Sequence, residues 1–352
     1  MNIRKFDTTD DVEIYAESSN HLDRSQDRVV ALGYFDGVHK GHQQILHAAR
    51  DEAKRMGMIS AIHSFLTPPI SKGKTHSKNG FLLTTFEEKL SLFEKLDIDE
   101  AVLTPFHKDV ENLSPCDFLD LYAVNLLGAK SIVVGEDYCF GKNRKGNLSL
   151  LRKWGHEKGI RIIAVPPMQS NGQVISSSWI RELLKQGNVE KASELLSYPV
   201  LFSGIVEKGY QIGSKIQFPT ANTRIDNMKM PPLPGVYVSL LELNGYIYPS
   251  ISNAGFRPTL ERNEDVISLE THLLMDLGVI PPRSLPRGGS FDQTIELYDQ
   301  NVRIYLLKFI RPEHKFSSLE VLAEQIRKDI HQVRQYHEKE YPSYSNLFTS
   351  MI

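Results

Sequence analysis

The chain has 352 residues, of which 41% are hydrophobic and 24% charged; this is the composition of a folded protein, and it is too long for one ordinary core. The formal net charge of −2 supplies no overall basic field for nucleic acid or an anionic membrane surface. No apolar run approaches the roughly 20 residues a membrane span needs, and the two cysteines, Cys116 and Cys139, have no CxxC spacing that would suggest a thiolate metal site or a disulfide scaffold.

The N-terminal stretch MNIRKFDTTDDVEIYAESS lacks the apolar centre of a signal peptide, so a cytoplasmic protein is expected. Residues 28–32 (RVVAL) read as a buried strand, and 41–56 carry apolar residues at helical spacing. A second strand follows at 60–65. The stretch 84–96 reads as a helix opened by a capping box, Thr84 with Glu87. The alternation continues as strand 101–104, helix 115–127, strand 131–134, helix 148–156 and strand 161–165. This order predicts an α/β domain with a parallel sheet and helices on both faces. Two short helices, 178–185 and 189–196, close this half.

After 197 the texture changes. Segments 237–243, 251–253, 266–274 and 302–309 are strand-like, with proline and glycine dense at 231–235 and 281–289. A small antiparallel β-barrel is predicted. The last helix is expected over 317–338, where Leu319, Leu322, Ile326, Ile330 and Val333 form one apolar stripe. The expected domains are 1–187 and 201–340, with 188–200 as a linker.

The stretch GYFDGVHKGH (33–42) lies between a parallel strand and a helix. That is the crevice in which α/β sheets bind nucleotides, because helix N-terminal amides and glycine backbone approach phosphate oxygens closely. His39 and His42 can donate hydrogen bonds there to a phosphate that gathers charge. A zinc role for the pair lacks an evident third ligand. The second piece is VISSSWIRELL (174–184). Ser177 and Ser178 at a helix start, with Arg181 one turn on, make an anion clamp. Taken singly, each motif is more often structural than catalytic.

In the second half, GIVEKGYQIGSKIQFPTAN (204–222) holds Gly209 and Gly213, which suit a phosphate-hugging loop. Thr220 and Asn222 alternate along an extended strand, so both face one way. Their oxygens suit Mg²⁺, which takes few protein ligands besides substrate phosphates. Glu270, in VISLETHLLMD (266–276), stands as a candidate base for an attacking hydroxyl, although a lone strand glutamate is usually just solvated.

Taken together, GYFDGVHKGH, LLTTFEEKL (82–90), VVGEDYCFGKNRKGN (133–147), ISSSWIRELLKQGNVEKASELL (175–196), the 204–222 stretch, PGVYV (234–238), SNAGFRPT (252–259), LETHLL (269–274) and RPEHKF (311–316) resemble the bifunctional prokaryotic riboflavin kinase/FAD synthetase family. The first half is similar to nucleotidyltransferases with HxGH and ISSTxxR motifs. The resemblance implies a Rossmann-like nucleotidyltransferase domain followed by a riboflavin-kinase barrel with a C-terminal helix. It implies phosphorylation of riboflavin to FMN with release of ADP, and adenylylation of FMN to FAD with release of pyrophosphate, ATP being the co-substrate and Mg²⁺ the metal. His39 and His42 would bind the ATP phosphates, with Ser177, Ser178 and Arg181 clamping them. Gly33, Phe35 and Asp36 would shape the nucleotide turn. Gly135, Asp137, Phe140 and Gly141 would match the family's GxDFxFG loop near flavin and adenine. In the barrel, Gly209, Gly213, Lys215 and Pro219 would line the nucleotide loop, Thr220 and Asn222 would hold Mg²⁺-ATP, and Glu270 would be the general base. No nucleic acid or membrane partner is implied, and oligomerisation is left open.

Several positions depart from the family's pattern, among them the clamp's Ser178, where a threonine is usual, and Trp179, where a basic residue is common. Thr67-Pro68 stands where an FxPHP segment usually has its histidine, Cys139 where an arginine is usual, Ser214 in place of arginine and Gln217 in place of glycine. The stretch 275–302 is also longer than the family's turn. Alternatives are a paralogue with one activity, riboflavin kinase before adenylyltransferase, and a non-catalytic flavin-binding regulator.

Overall fold

Strand β2 (Arg28–Leu32) has all five residues buried, which requires cover on both faces of its sheet. Val30 and Leu32 join the core built by Leu119, Tyr122, Leu151 and Trp154. Val29 and Ala31, also fully buried, point by strand alternation to the other face. The computed structural model describes residues 1–7, 27–68, 81–207, 220–258, 265–280 and 296–347. The chain forms two compact units, one of Met1–Thr75 and Phe86–Ser176, the other of His76–Thr85 and Ser177–Ile352.

In the first unit, β1 (Asn2–Lys5), β2, β3 (Ile59–Phe65), β4 (Glu100–Thr104), β5 (Ala129–Gly135) and β6 (Arg161–Val165) form a parallel sheet in the order β1-β4-β3-β2-β5-β6. The chain runs outward from β2 through β3 to β4, then returns to β5 on the other side of β2. The topological switch point therefore lies between β2 and β5, where the carboxyl ends of parallel strands leave a crevice. Helix α1 (Lys40–Met56) ends on Gly57 in the left-handed conformation (φ 66°). Helix α2 (Phe86–Lys95) starts two residues after Thr84, later than the sequence predicts. Residues 82–83 instead join the second unit, where Leu82 bridges Lys229. After α3 (Lys108–Asn112), the single helix predicted over 115–127 is α4 (Pro115–Leu119) running into a π-helical stretch, Asp120–Leu126. Helix α5 (Leu148–Lys158) and a short hairpin, β7 (Gln169–Ser170) with β8 (Gln173–Val174), complete the unit.

The second unit opens with α6 (Ser177–Lys185) and α7 (Val189–Leu196). The predicted linker thus contains a helix whose Val189, Ala192, Leu195 and Leu196 are buried. A closed antiparallel barrel follows, β10-β13-β12-β11-β14-β9, from β9 (Val200–Glu207), β10 (Ala221–Ile225), β11 (Gly235–Leu243), β12 (Tyr246–Pro258), β13 (Asp265–Leu273) and β14 (Asn301–Pro312). Closure leaves no free sheet edge. Helix α8 (Leu319–Leu347) lays Ile330 and Val333 against Val236, Val238 and Ile251 on the barrel's outer face. Arg311, at the end of β14, anchors it through Asp329 at 2.7 Å.

Candidate active sites

In the first unit, the strand-to-helix turn after β2 is held in a conformation few side chains adopt. Phe35 has φ 55°, Gly37 φ 79° and Val38 φ 37°. Such strain persists only where the surroundings over-determine it. Here Gly33 N–H donates to the His63 carbonyl (3.2 Å) and Val38 N–H to the Phe35 carbonyl (3.2 Å). Gln43 Nε2 donates to the Val38 carbonyl (2.7 Å). A Cβ on Gly33 would lie 2.7 Å from the Phe35 ring, so that position must be glycine for the ring to fold back over the turn. Asp36 is buried beside it.

His39 is the N-cap of α1, its Nδ1 accepting from the His42 N–H at 3.4 Å. That leaves Nε2 as its protonated nitrogen. The two imidazoles stack with centroids 3.6 Å apart and planes 18° off parallel. The edge of Phe35 meets His42 at 5.4 Å. Burial first, then the neighbouring His39 and the charge of Lys89, hold the His42 pKa well below the usual imidazole value. His42 is therefore neutral, and its Nδ1 is buried with no hydrogen-bond partner among the described residues. A buried, unfilled nitrogen is a place for a ligand or water.

A cavity of about 600 Å³ opens at the switch point. Its aromatic wall includes Phe65, Phe106, Phe118 and Phe140, and its polar lining includes His42, Glu111, Asp137 and Arg144. Gly33, Phe35, Gly135 and Gly141 border it too. Tyr138 stacks on Phe140 at 5.4 Å, and burial pushes its phenol pKa up. Cys139 lines the cavity, its thiol directed at the Asp137 carbonyl (3.5 Å). Gly141 has φ 67°, and a Cβ there would meet the Pro115 backbone at 2.7 Å. Such a volume with apolar walls and few polar groups suits a planar aromatic ligand.

Several residues of this site were not singled out from sequence, among them Phe106, Phe118, Glu111 and Arg144 and two buried side chains, His63 and Lys89. His63 lines the cavity and hydrogen-bonds Thr104 Oγ1 at 3.0 Å; burial lowers its pKa to about 3. Lys89 is 3% exposed and donates to the Tyr34 carbonyl at 3.1 Å. Its signal was its spacing: Lys89 falls on the face of α2 that buries Leu92 and Phe93, an unusual place for a lysine.

The other members of the expected clamp are in the second unit. Ser177 is the first residue of α6, half-buried, followed by exposed Ser178. Arg181 Nε donates to the Phe81 carbonyl at 2.8 Å, with the guanidinium 3.8 Å above the Phe81 ring.

On the barrel, Asn222 of β10 pairs directly with Glu270 of β13, which pairs in turn with Asn253 of β12. Directly opposed residues share a face, so three polar side chains form a row. Thr220, one residue before β10, shares that side by alternation. Asn253 Nδ2 donates to Glu313 Oε1 at 2.8 Å. The alternate residues Ala221, Thr223, Leu269 and Thr271 are buried and face the barrel interior, where Ser239, Ser252 and Thr271 link hydroxyls at 2.7–2.8 Å. Thr220, Asn222 and Glu270 supply only oxygen acceptors and donors of the kind a hard divalent cation takes. Among the described residues no group of three or more His, Cys, Asp or Glu side chains could hold a metal. Gly209, Gly213, Lys215 and Pro219, with Ser214 and Gln217, lie outside the described residues, as does most of 275–302.

Residues 21–179 match the family model described as FAD synthetase, and 196–337 that described as riboflavin kinase. A bifunctional riboflavin kinase/FMN adenylyltransferase of Bacillus subtilis is 32% identical over 326 residues, 92% of this chain and 97% of the relative. One from Escherichia coli is 32% identical over 86% of this chain and 90% of its own. A solved structure described as a macrolide-efflux protein from Streptococcus pneumoniae superposes with a TM-score of 0.77 at 26% identity, covering 95% of this chain and 99% of that one. No described helix is long and apolar enough to cross a membrane.

Proposed function

The chain belongs to the family of bifunctional riboflavin kinase/FMN adenylyltransferases, and from that premise we propose how its residues divide the two reactions. It is a transferase of flavin biosynthesis that phosphorylates riboflavin to FMN and adenylylates FMN to FAD, with ATP as co-substrate in both steps. The observation that carries this is the identity of 32% across 92% of the chain, which spans both catalytic halves.

For the adenylyl step, the reading assigns the ATP phosphates to His39 and His42 at the head of α1. A neutral His42 with an unfilled nitrogen supports this, because such an imidazole hydrogen-bonds phosphate without needing a proton from solvent. Gly33, Phe35 and Asp36 shape the turn around the nucleotide. Gly135, Asp137, Phe140 and Gly141 border the flavin, supported by the aromatic wall of the cavity. Ser177, Ser178 and Arg181 are the second set of phosphate contacts. The FMN phosphate oxygen attacks the α-phosphorus, pyrophosphate leaves, and the protein contributes positioning and charge stabilisation rather than a covalent intermediate.

For the kinase step, Glu270 takes the proton of the riboflavin 5′-hydroxyl as the hydroxyl oxygen attacks the γ-phosphorus, the bond to the β–γ bridging oxygen breaks and ADP leaves. Thr220 and Asn222 would hold Mg²⁺, which when bound neutralises charge on the phosphates. The direct pairing of Asn222 with Glu270 supports this, since it sets a neutral oxygen ligand beside the base. Gly209, Gly213, Lys215 and Pro219, which precede that pair in the sequence, are assigned to the nucleotide. The functional domains are proposed as 1–187 and 201–340. The cytoplasm is the proposed compartment, supported by two cysteines that are both free.

The test is incubation with ATP and Mg²⁺ plus riboflavin or FMN, with the flavins separated by chromatography. FAD from both substrates is expected. FMN accumulating from riboflavin with no FAD from either substrate would reject the adenylyl assignment.

A further inference from the structure

Lys89 projects from α2 under the turn that follows β2. Its ammonium has three N–H donors, and three oxygens surround it: the Tyr34 carbonyl at 3.1 Å, Ser64 Oγ at 3.2 Å and the Phe65 carbonyl at 3.5 Å. Ser64 Oγ itself donates to the Tyr34 carbonyl at 3.0 Å. The ammonium also lies 4.2 Å from the centre of the Tyr34 ring, a cation–π contact. Tyr34 belongs to the exit of β2, and Ser64 and Phe65 to the end of β3. One buried cation thus bridges the two strand ends that border the cavity, both of which contribute lining residues.

A lysine so deeply buried is costly unless its charge or its bonds are used. Structure alone would be served by an apolar residue on this face of α2, as at Leu92 and Phe93. What the neighbouring turn requires is restraint, since Phe35 and Val38 hold positive φ. What the adenylyl reaction requires is positive potential, since a triphosphate and a phosphate monoester must approach each other. Both requirements meet at this ammonium.

We propose that Lys89 is a positioning residue of the FMN adenylyltransferase site: it ties the exits of β2 and β3 into one arc and sets a buried positive charge behind the turn on which the nucleotide phosphates are held. The proposal rests on the adenylyltransferase reading of this unit. The groups that face the ammonium are Asp36 from the turn, His42 from α1, and the hydroxyl and carbonyl oxygens of β3; Glu88 is its neighbour on α2. Burial lowers the Lys89 pKa to about 8, with Asp36 acting in the opposite sense. The charge is present below that pH and is lost above it.

The test uses the full chain, whose riboflavin kinase step is an internal control in the other unit. Rates of FAD formation from FMN and of FMN formation from riboflavin are measured across pH for the parent, Lys89→Met and Lys89→Arg. In the parent, FAD formation is expected to decline as pH rises through about 8, and the kinase step to lack that limb. Lys89→Met should lose on the order of tenfold to a hundredfold in FAD formation, with the alkaline limb gone. Lys89→Arg, which does not titrate, should keep a constant fraction of its own neutral-pH rate at alkaline pH. Full activity in Lys89→Met, or the same alkaline limb in its residual activity, would overturn the proposal. If neither variant yields FAD, the parent profile decides, and absence of a limb near pH 8 specific to the FAD step rejects it. A parent that makes no FAD at any pH would instead reject the adenylyltransferase reading itself.

Discussion

Asn222 and Glu270 are direct cross-strand partners on β10 and β13. The register that sets the amide beside the carboxylate also sets Ala221 against Thr271 on the opposite, interior face. A one-residue slip would bury the carboxylate in the barrel, among the hydroxyls of Ser239, Ser252 and Thr271, at a desolvation cost. Pairing of the two strands is therefore bound to barrel closure. Glu270→Gln keeps the shape and removes the base. The expected result is a loss of about 10²–10⁴-fold in riboflavin phosphorylation with FAD formation from FMN unchanged. Equal loss of both steps would show that the substitution disrupts folding and not base chemistry.

His42→Ala removes the imidazole stacked on His39. FAD formation should fall by about 10²–10³-fold, the range for losing one preorganised donor at a charge-accumulating oxygen. Riboflavin phosphorylation should continue at the parent rate. Product chromatography of a single riboflavin incubation would show FMN accumulating where the parent makes FAD.

Acid should destabilise the first unit through His63. Its folded-state pKa of about 3 lies below the 6.5 of an unperturbed imidazole. Below about pH 6.5 the unfolded chain gains a proton that the folded chain refuses, so stability is lost as pH falls toward 3. The slope is about 1.4 kcal/mol per pH unit for one such histidine, and His42, also lowered, acts in the same direction. Denaturant unfolding followed by Trp154 fluorescence in a Trp179→Phe background measures it. His63→Gln should flatten the slope, and an unchanged slope would remove His63 from the account.

Gly141→Ala meets two obstacles, a left-handed φ of 67° and the Pro115 backbone 2.7 Å from the new Cβ. Backbone cannot swing aside as a side-chain tip does. A loss of more than about 1 kcal/mol is expected, together with a raised KM for FMN in the adenylyl step. Thermal unfolding and FMN saturation curves test the two parts separately.

Cys139→Arg introduces the arginine that the family resemblance leads one to expect in this loop. The cavity lining carries Glu111 and Asp137 against Arg144, so an added guanidinium shifts the local balance toward an anionic flavin phosphate. The KM for FMN should drop severalfold in the adenylyl step while the KM for riboflavin in the kinase step holds. No change in the FMN value would mean that position 139 does not face the phosphate.

Much of this protein was legible from residue order. Strand 28–32 and helix 189–196 have the predicted bounds, because an apolar run ending in glycine and a 3.6-residue stripe are local patterns that packing merely completes. The HKGH junction was legible for the same reason: a strand, a turn rich in glycine and a helix start are written in consecutive residues. The helix start at 84 was misplaced because Thr84 and Glu87 form a sound local cap signal, while residues 82–83 are drawn into pairing with residues near 229, and no local pattern announces a partner so far along the chain. The edge strand β1 was unpredicted for a similar reason, since among the described residues it pairs with β4 alone. Sequence determined that His39 and His42 meet at a helix head and that Asn222 and Glu270 lie on strands, with Thr220 just ahead of the first. Only tertiary structure decided that Asn222 opposes Glu270, that His63 and Phe140 share a wall, and that Lys89 bridges two strand ends. Those relations depend on sheet order and register, which long-range burial selects and which no short stretch of residues specifies.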